Sequence, residues 1–371
     1  MKPTITLCMI VKNESHVILE CLNSVWKHIN YWVISDTGST DNTKELITNF
    51  FREKNIPGEF ADCEWKDFAH NRTYVIRACK GKADYAWVID ADDYLEGSFN
   101  LPQDLSVDCY RLKINHNSTS QYREQIFKLE SNWHWVGVVH EYADCKKENP
   151  KYEILKGPYS IRARIIGGRS KGLSETEKYA RDAKILEEAV KLEPENSRYW
   201  FYLGQSYYDS ENYEKAKWAY LRRAELEKGW HCERAYAYYR AGICEEYLKS
   251  WDGDRNAIEL YLKAHETDSK RPEFLWQISR LYHIKYKKYH QAFIYMKIAY
   301  DMECPTDTLF INNYICKFSI LDEISILAPI VGQPELAKSA LKILLGKNKD
   351  FIPESELSRI KENYNILNNN K

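Results

Sequence analysis

The sequence predicts two domains of different class. Residues 1–170 read as an α/β domain on a doubly wound, mainly parallel sheet with a Rossmann-like nucleotide-binding half, and residues 171–371 as an all-α helical repeat domain. Three observations carry this reading. Strand-like and helix-like segments alternate through the first half. Strand runs then vanish, and helices rich in Tyr, Ala and Leu take over. A pattern of small and aromatic residues recurs through that second half. At 371 residues, about two domains are expected on length alone. A hydrophobic content of 44% supplies cores for both and argues against disorder. Lys and Arg number 53 against 54 Asp and Glu, a balance that argues against a general nucleic-acid binder.

Taken in order, Ile5–Val11 is a short apolar run of strand type. Glu14–His28 carries helical spacing at Val17, Ile18, Cys21, Leu22, Val25 and Trp26. Tyr31–Ser35 is again strand-like. Thr40–Glu53 is helical, with Leu46, Ile47 and Phe50 on one face. Asp67–Lys80 is a further helix and Tyr85–Ile89 a buried strand. This βαβαβ rhythm places ligands at the carboxyl ends of the strands.

From Lys171 onward, Trp200, Leu203, Gly204, Tyr207, Ala216 and Tyr220 follow the W-x2-L-G-x2-Y order of a tetratricopeptide (TPR) unit. Ala257, Tyr261 and Ala264, then Ala292, Met296 and Ala299, mark further units, with a degenerate last one at Ala337 and Leu341. Pro194, Pro272 and Pro305 fall near expected ends of second helices. An irregular helical bundle is the competing description. Nineteen of the 28 tyrosines lie in this half, where bulky rings are expected to pack against small residues.

Ten cysteines occur, no two at CxxC spacing, so neither a zinc site nor a disulfide framework is expected. The opening segment is too soon interrupted for a signal peptide, and no apolar stretch approaches the roughly 20 residues of a membrane helix. Sequons stand at Asn13, Asn71 and Asn117. A soluble, cytoplasmic protein in a reducing compartment is expected.

Two constellations carry chemistry. Ser35-Asp36-Thr37-Gly38-Ser39-Thr40-Asp41 closes the second strand, where an acidic residue and a Ser/Thr/Asp helix cap suit a ribose or base edge. A plain turn and cap fits the same residues. Trp87-Val88-Ile89-Asp90-Ala91-Asp92-Asp93 puts three carboxylates at the end of a hydrophobic strand. Their mutual repulsion is costly unless a cation neutralises it, and an oxygen-rich site of this kind suits Mn²⁺ or Mg²⁺. A solvated acidic turn is the plainer alternative.

These motifs and Met9-Ile10-Val11-Lys12-Asn13-Glu14 occur in the order of one family. Over roughly residues 4–170 the chain resembles the GT-A-fold, family 2 glycosyltransferases, which read "VKNE" after the first strand, "DTGSTDNT" after the second and Asp-x-Asp after the fourth. Asp67-Phe68-Ala69-His70-Asn71-Arg72-Thr73 is similar to the family's "ARN" segment, with His70 where many members have Arg. Trp133-His134-Trp135-Val136-Gly137-Val138-Val139-His140-Glu141 resembles the "WxGxVHE" element of a subgroup in which a TPR array follows the transferase domain. Gly167-Gly168-Arg169-Ser170 and Arg198–Tyr207 are similar to that subgroup too.

The resemblance implies a metal-dependent, inverting transfer of a hexose from a nucleotide-diphosphate sugar, most simply a UDP-sugar. The donor would lie on Val11, Lys12, Asn13, Glu14, Asp36, Asn71, Arg72, Asp90 and Ala91. Asp90 and Asp92 would hold the cation, with His140 as a third ligand. Glu141, or His140 in its place, would be the general base on the acceptor hydroxyl. Trp133 and Trp135, alternating on one strand, would stack on a sugar acceptor or else belong to the core. Arg162, Arg164, Arg169 and Lys171 form a basic stretch, either a flap over the donor phosphates or a solvated linker. The repeats would offer a groove for a protein, peptide or glycan acceptor, or mediate a homodimer. A non-catalytic scaffold with a degenerate first domain is the competing class, although the complete Asp90/Asp92/Asp93 set and His140-Glu141 favour the enzyme. A nucleotidyltransferase would require a Gly-rich basic loop after the first strand, and Lys12-Asn13-Glu14-Ser15 is not one.

Overall fold

The computed structural model describes residues 3–116, 119–164, 174–249, 251–305 and 312–369. They form two compact units, Met1–Ser174 and Glu175–Lys371. The boundary expected at residue 170 lies outside the described residues, as do Asn117, Gly167–Ser170 and Lys171.

In the first unit, β1 (Ile5–Val11) is followed by α1 (Ile18–Val25), β2 (Tyr31–Asp36), α2 (Thr43–Lys54), β3 (Gly58–Phe60), α3 (Phe68–Ala78) and β4 (Tyr85–Val88). Strand β1 lies between β2 and β4, parallel to both, and β3 adds in parallel to β2. Residues Ile5, Leu7 and Met9 face one core with Ile18, Leu22 and Trp87, whereas Cys8 faces a second with Val33, Val75 and Cys79. Both faces of these strands are covered, as a parallel sheet requires.

The remaining strands are β5 (Tyr94–Gly97), β6 (Cys109–His116), β7 (Thr119–Lys128), β8 (Trp133–Val136), β9 (Tyr142–Cys145), β10 (Tyr152–Ile154) and β11 (Tyr159–Arg162). The sheet runs β3-β2-β1-β4-β7-β6-β11-β5, with β10 on β6, and β8 and β9 make a separate hairpin. β7 is antiparallel to both β4 and β6. The sheet is therefore mixed, parallel in the half that the sequence rhythm anticipated.

Helix α1 begins later than the expected Glu14. Asn13 takes a left-handed φ of 57°, and the Glu14 carbonyl accepts from both Val17 and Ile18 amides, so a turn precedes the helix. Helix α3 starts where Asp67 caps it, its carboxylate accepting from the His70 amide at 2.7 Å.

The second unit is helical throughout its described residues: α4 (Glu175–Leu192), α5 (Ser197–Asp209), α6 (Tyr213–Glu225), α7 (His231–Leu248), α8 (Gly253–Thr267), α9 (Pro272–Arg280), α10 (Tyr289–Asp301), α11 (Ile320–Ile330), α12 (Pro334–Leu345) and α13 (Glu354–Asn369). It is TPR-like. Gly204 on α5 faces Tyr220 on α6, where a Cβ would stand 2.7 Å from the ring. Gly242 on α7 repeats the arrangement against Tyr261 on α8, at 2.5 Å. Absence of a side chain is what lets each ring close on the neighbouring backbone. Pro272 follows the end of α8 by five residues and opens α9, where a missing amide costs nothing. Contrary to the expectation of unpaired cysteines, Cys304 and Cys316 form a disulfide. Among the described residues no helix is long and apolar enough to cross a membrane.

Candidate active site

The register Val11↔Asp36 between β1 and β2, and Cys8↔Val88 between β1 and β4, sets three strand ends side by side. The loops leaving β1 and β2 are stitched together. The Asn13 amide donates to Ser39 Oγ at 2.8 Å, the Thr40 amide to Asn13 Oδ1 at 2.8 Å, and the Glu14 amide to Thr43 Oγ1 at 2.8 Å. Asp41 accepts from the Ser15 amide and from Thr43. Burial alone would raise the Asp41 carboxyl, but these hydrogen bonds outweigh it and hold the group well below the usual carboxylate range.

Asp36 turns its Oδ1 inward to the amides of Gly38 and Ser39, at 2.9 and 2.7 Å. Its Oδ2 is buried and has no hydrogen-bond partner among the described residues. A buried acceptor without a donor is costly, and a ribose hydroxyl or base amide would satisfy it. Val11 and Ala91 are buried beneath the loops, and Lys12 is exposed.

At the end of β4, Arg72 from α3 joins two carboxylates. Its Nη2 donates to Asp90 Oδ1 at 2.6 Å and its Nε to Glu141 Oε1 at 2.9 Å. Burial opposes the charge of Asp90, but Arg72 and then Arg123 hold its carboxyl below the ordinary value. Asp93 is only 5% exposed. Burial, then the neighbouring Asp90 and Asp92 carboxylates, push it up to about 8.

Glu141 reaches Arg72 through a chain of local contacts. Thr73, next to Arg72 on α3, accepts the Trp135 amide at 2.8 Å and so docks β8 against that helix. Gly137 (φ 111°) and His140 (φ 53°) then turn the chain back before β9, leaving Glu141 beside Arg72. The cleft between these elements has a volume of about 220 Å³ and is lined by Arg72, Asp90, Arg123, Glu124, Trp135, Glu141 and Tyr142, among others. A larger hollow of about 380 Å³ lies at the opposite, amino end of β4, around Lys80, Asp84 and Asn132, away from the strand-end carboxylates.

Several expected site residues behave differently. Asn71 is fully buried. Its Oδ1 accepts from the Lys66 amide at 3.0 Å and its Nδ2 donates to the Glu64 carbonyl at 3.1 Å. It therefore pins the loop before α3 and has nothing left for a donor. Trp133 is 2% exposed and meets Phe127 edge-on, with ring centroids 5.1 Å apart. It belongs to the core, while Trp135, two residues on, borders the cleft. His140 is exposed, and its ring is not gathered with Asp90 and Asp92 into a three-ligand group among the described residues. His140 sits in a left-handed turn (φ 53°) on the exposed side of the chain reversal before β9. Arg162 pairs with Glu96, and Arg164 donates to the Asp92 carbonyl at 2.7 Å and pairs with Glu20. That part of the basic stretch braces the acidic turn.

Arg123 was not singled out from the sequence. It lies on β7, whose antiparallel pairing with β4 brings it beside Asp90, and no local signal marks such a residue.

The first unit thus sets acidic groups and an arginine side by side at the carboxyl ends of a parallel sheet, where ligands of such sheets bind. Residues 6–102, within the first unit, match the family described as glycosyl transferase family 2. The SPbeta prophage-derived glycosyltransferase SunS of Bacillus subtilis is 28% identical over 216 residues, 55% of this chain and 49% of that one. A TPR repeat-containing protein of Synechococcus elongatus is 25% identical over 181 residues, 45% of this chain and 43% of its own. The chain thus spans about half the length or less of these curated relatives. Among solved structures, MamA is matched at a TM-score of 0.38 and 15% identity, covering 51% of this chain and 97% of that one.

Proposed function

We propose that this chain is an inverting glycosyltransferase that moves a hexose from a UDP-sugar to a protein, peptide or glycan acceptor. The observation that carries the reading is Arg72, held between Asp90 at the end of β4 and Glu141 across the cleft. An arginine so placed brings charge-assisted donors to a diphosphate, and a carboxylate facing it suits proton removal from an acceptor hydroxyl. Asp36, with its unpartnered Oδ2, would take the ribose or base.

The acidic turn fits a hard divalent cation, because like charge and burial crowd protons onto Asp93 when nothing else neutralises the set. Asp92 would hold Mn²⁺ or Mg²⁺, with Asp90 close by. A cation held there would supply charge neutralisation to the departing diphosphate. Glu141 would draw the proton from the attacking hydroxyl, with His140 as the alternative base beside it. Trp135 would border the acceptor sugar.

A screen of common nucleotide sugars with Mn²⁺, read by thermal shift and then by product formation, tests this. The expected result is one stabilising donor whose turnover disappears in Asp92→Ala. Metal-independent turnover persisting in that variant would overturn the assignment, and no binding to any donor would leave the chain as a scaffold.

A further inference from the structure

We propose that the helical unit holds a second, chemically different metal site: a zinc-type cation bound by His231, Cys232 and Asp268. No spacing motif announces it, since the cysteines show no CxxC pair. The site arises because α7 and α8 pack as an antiparallel hairpin. The start of α7, where His231 and Cys232 stand, then lies beside the end of α8, where Asp268 follows Thr267.

One ligand atom from each of the three residues falls within 4.8 Å of the others. His231 Nε2 and Cys232 Sγ are 3.3 Å apart. Bonds of about 2.0–2.1 Å to imidazole and about 2.3 Å to sulfur place two such atoms roughly 3.5 Å apart around a tetrahedral ion. The observed edge is therefore close to a coordinating one.

Burial and charge agree. Cys232 is 5% exposed and Asp268 8% exposed, whereas His231 reaches solvent. Asp268 Oδ1 accepts from the Lys270 amide at 3.3 Å, and the buried thiol beside it brings no positive charge. With the thiol proton released to solvent, thiolate and carboxylate cancel the charge of a dication. A nitrogen, sulfur and oxygen set selects a borderline-soft ion over Mg²⁺ or Mn²⁺. Three protein ligands with one exposed edge leave a fourth position for water. On α8, one turn before Asp268, His265 has a buried Nδ1 without a hydrogen-bond partner among the described residues. The occupied site would tie the start of one repeat hairpin to its end.

The test uses the full chain, stripped of metal with a chelator and titrated with Co²⁺, then with Zn²⁺ in competition. A thiolate-to-cobalt absorption band is expected at one equivalent, displaced by Zn²⁺. The band should vanish in Cys232→Ser and survive in Asp92→Ala, since the strand-end site offers only oxygen. Asp268→Asn keeps the thiol and nearly the same shape, and should weaken Co²⁺ binding by roughly 10-fold or more. Absence of the band in the parent chain, its persistence in Cys232→Ser, or unchanged affinity in Asp268→Asn would each overturn the proposal. None of these readouts depends on glycosyl transfer.

Discussion

Arg72 matters because it is shared. Replacing it with Ala would leave Asp90 and Glu141 facing one cleft without their common cation, so donor binding and transfer should fall together in steady-state kinetics. Glu141→Gln separates the roles. It keeps the shape, so donor-induced thermal stabilisation should persist while transfer drops about 10²-fold or more. Loss of donor binding in that variant would make Glu141 a binding residue and move the base elsewhere. Asp108 offers a test of folding. Burial would raise its carboxyl, but Lys147 Nζ at 2.7 Å, the Lys151 amide at 2.8 Å and Ser131 Oγ at 2.7 Å hold it at about 2. A depressed carboxyl stabilises fully above its unfolded value near 3.9, and the contribution fades as pH falls toward 2. Asp108→Asn should therefore cost on the order of 1–3 kcal/mol at pH 7, and progressively less between pH 4 and pH 2, in urea unfolding. At this scale the sequence identified chemistry by residue type. Asp36, Asp90 and Glu141 stood out as carboxylates in recognisable runs. It could not distinguish Asn71, whose amide is consumed by the Glu64–Lys66 loop, from Arg72 beside it. Nor could it separate Trp133 from Trp135, since depth differs along a strand whose pattern does not.

Helices and strands place these groups through a few contacts. The bond from the Trp135 amide to Thr73 Oγ1 couples the β8–β9 hairpin to α3. Thr73→Val should cost about 1 kcal/mol of stability and reduce transfer more than donor binding, since it frees the hairpin that carries Glu141. In the repeats, Gly204→Val forces a branched side chain into Tyr220, and a loss of about 1–3 kcal/mol or more is expected by thermal or urea denaturation. Gly242 against Tyr261 should behave alike. Gly204 was legible because the W-x2-L-G-x2-Y order sets it on a helix face, whereas Gly242, outside that order, was not singled out. The π-helical run Leu281–Lys285 that continues α9 was not, because its backbone geometry leaves no periodic trace.

Across the whole chain, the two units have separate cores. A donor at 100 times its dissociation constant with Mn²⁺ should add about 2.7 kcal/mol of stability. That gain should appear in the parent and in Glu141→Gln, and be lost in Asp92→Ala. The sequence by itself determined the class of each unit, because hydrophobic period and turn residues are local properties written along the chain. It also placed the acidic and Gly-Ser-Thr loops at strand ends, since a parallel sheet leaves its carboxyl ends on one side. Only the tertiary structure decided the rest. Antiparallel pairing of β7 with β4 brought Arg123 to Asp90. Docking of β8 on α3 brought Glu141 to Arg72. The α7–α8 hairpin joined His231 and Cys232 to Asp268, 36 residues beyond Cys232. Such meetings depend on which segments pack together, and chain-local patterns of charge and hydrophobicity do not specify that.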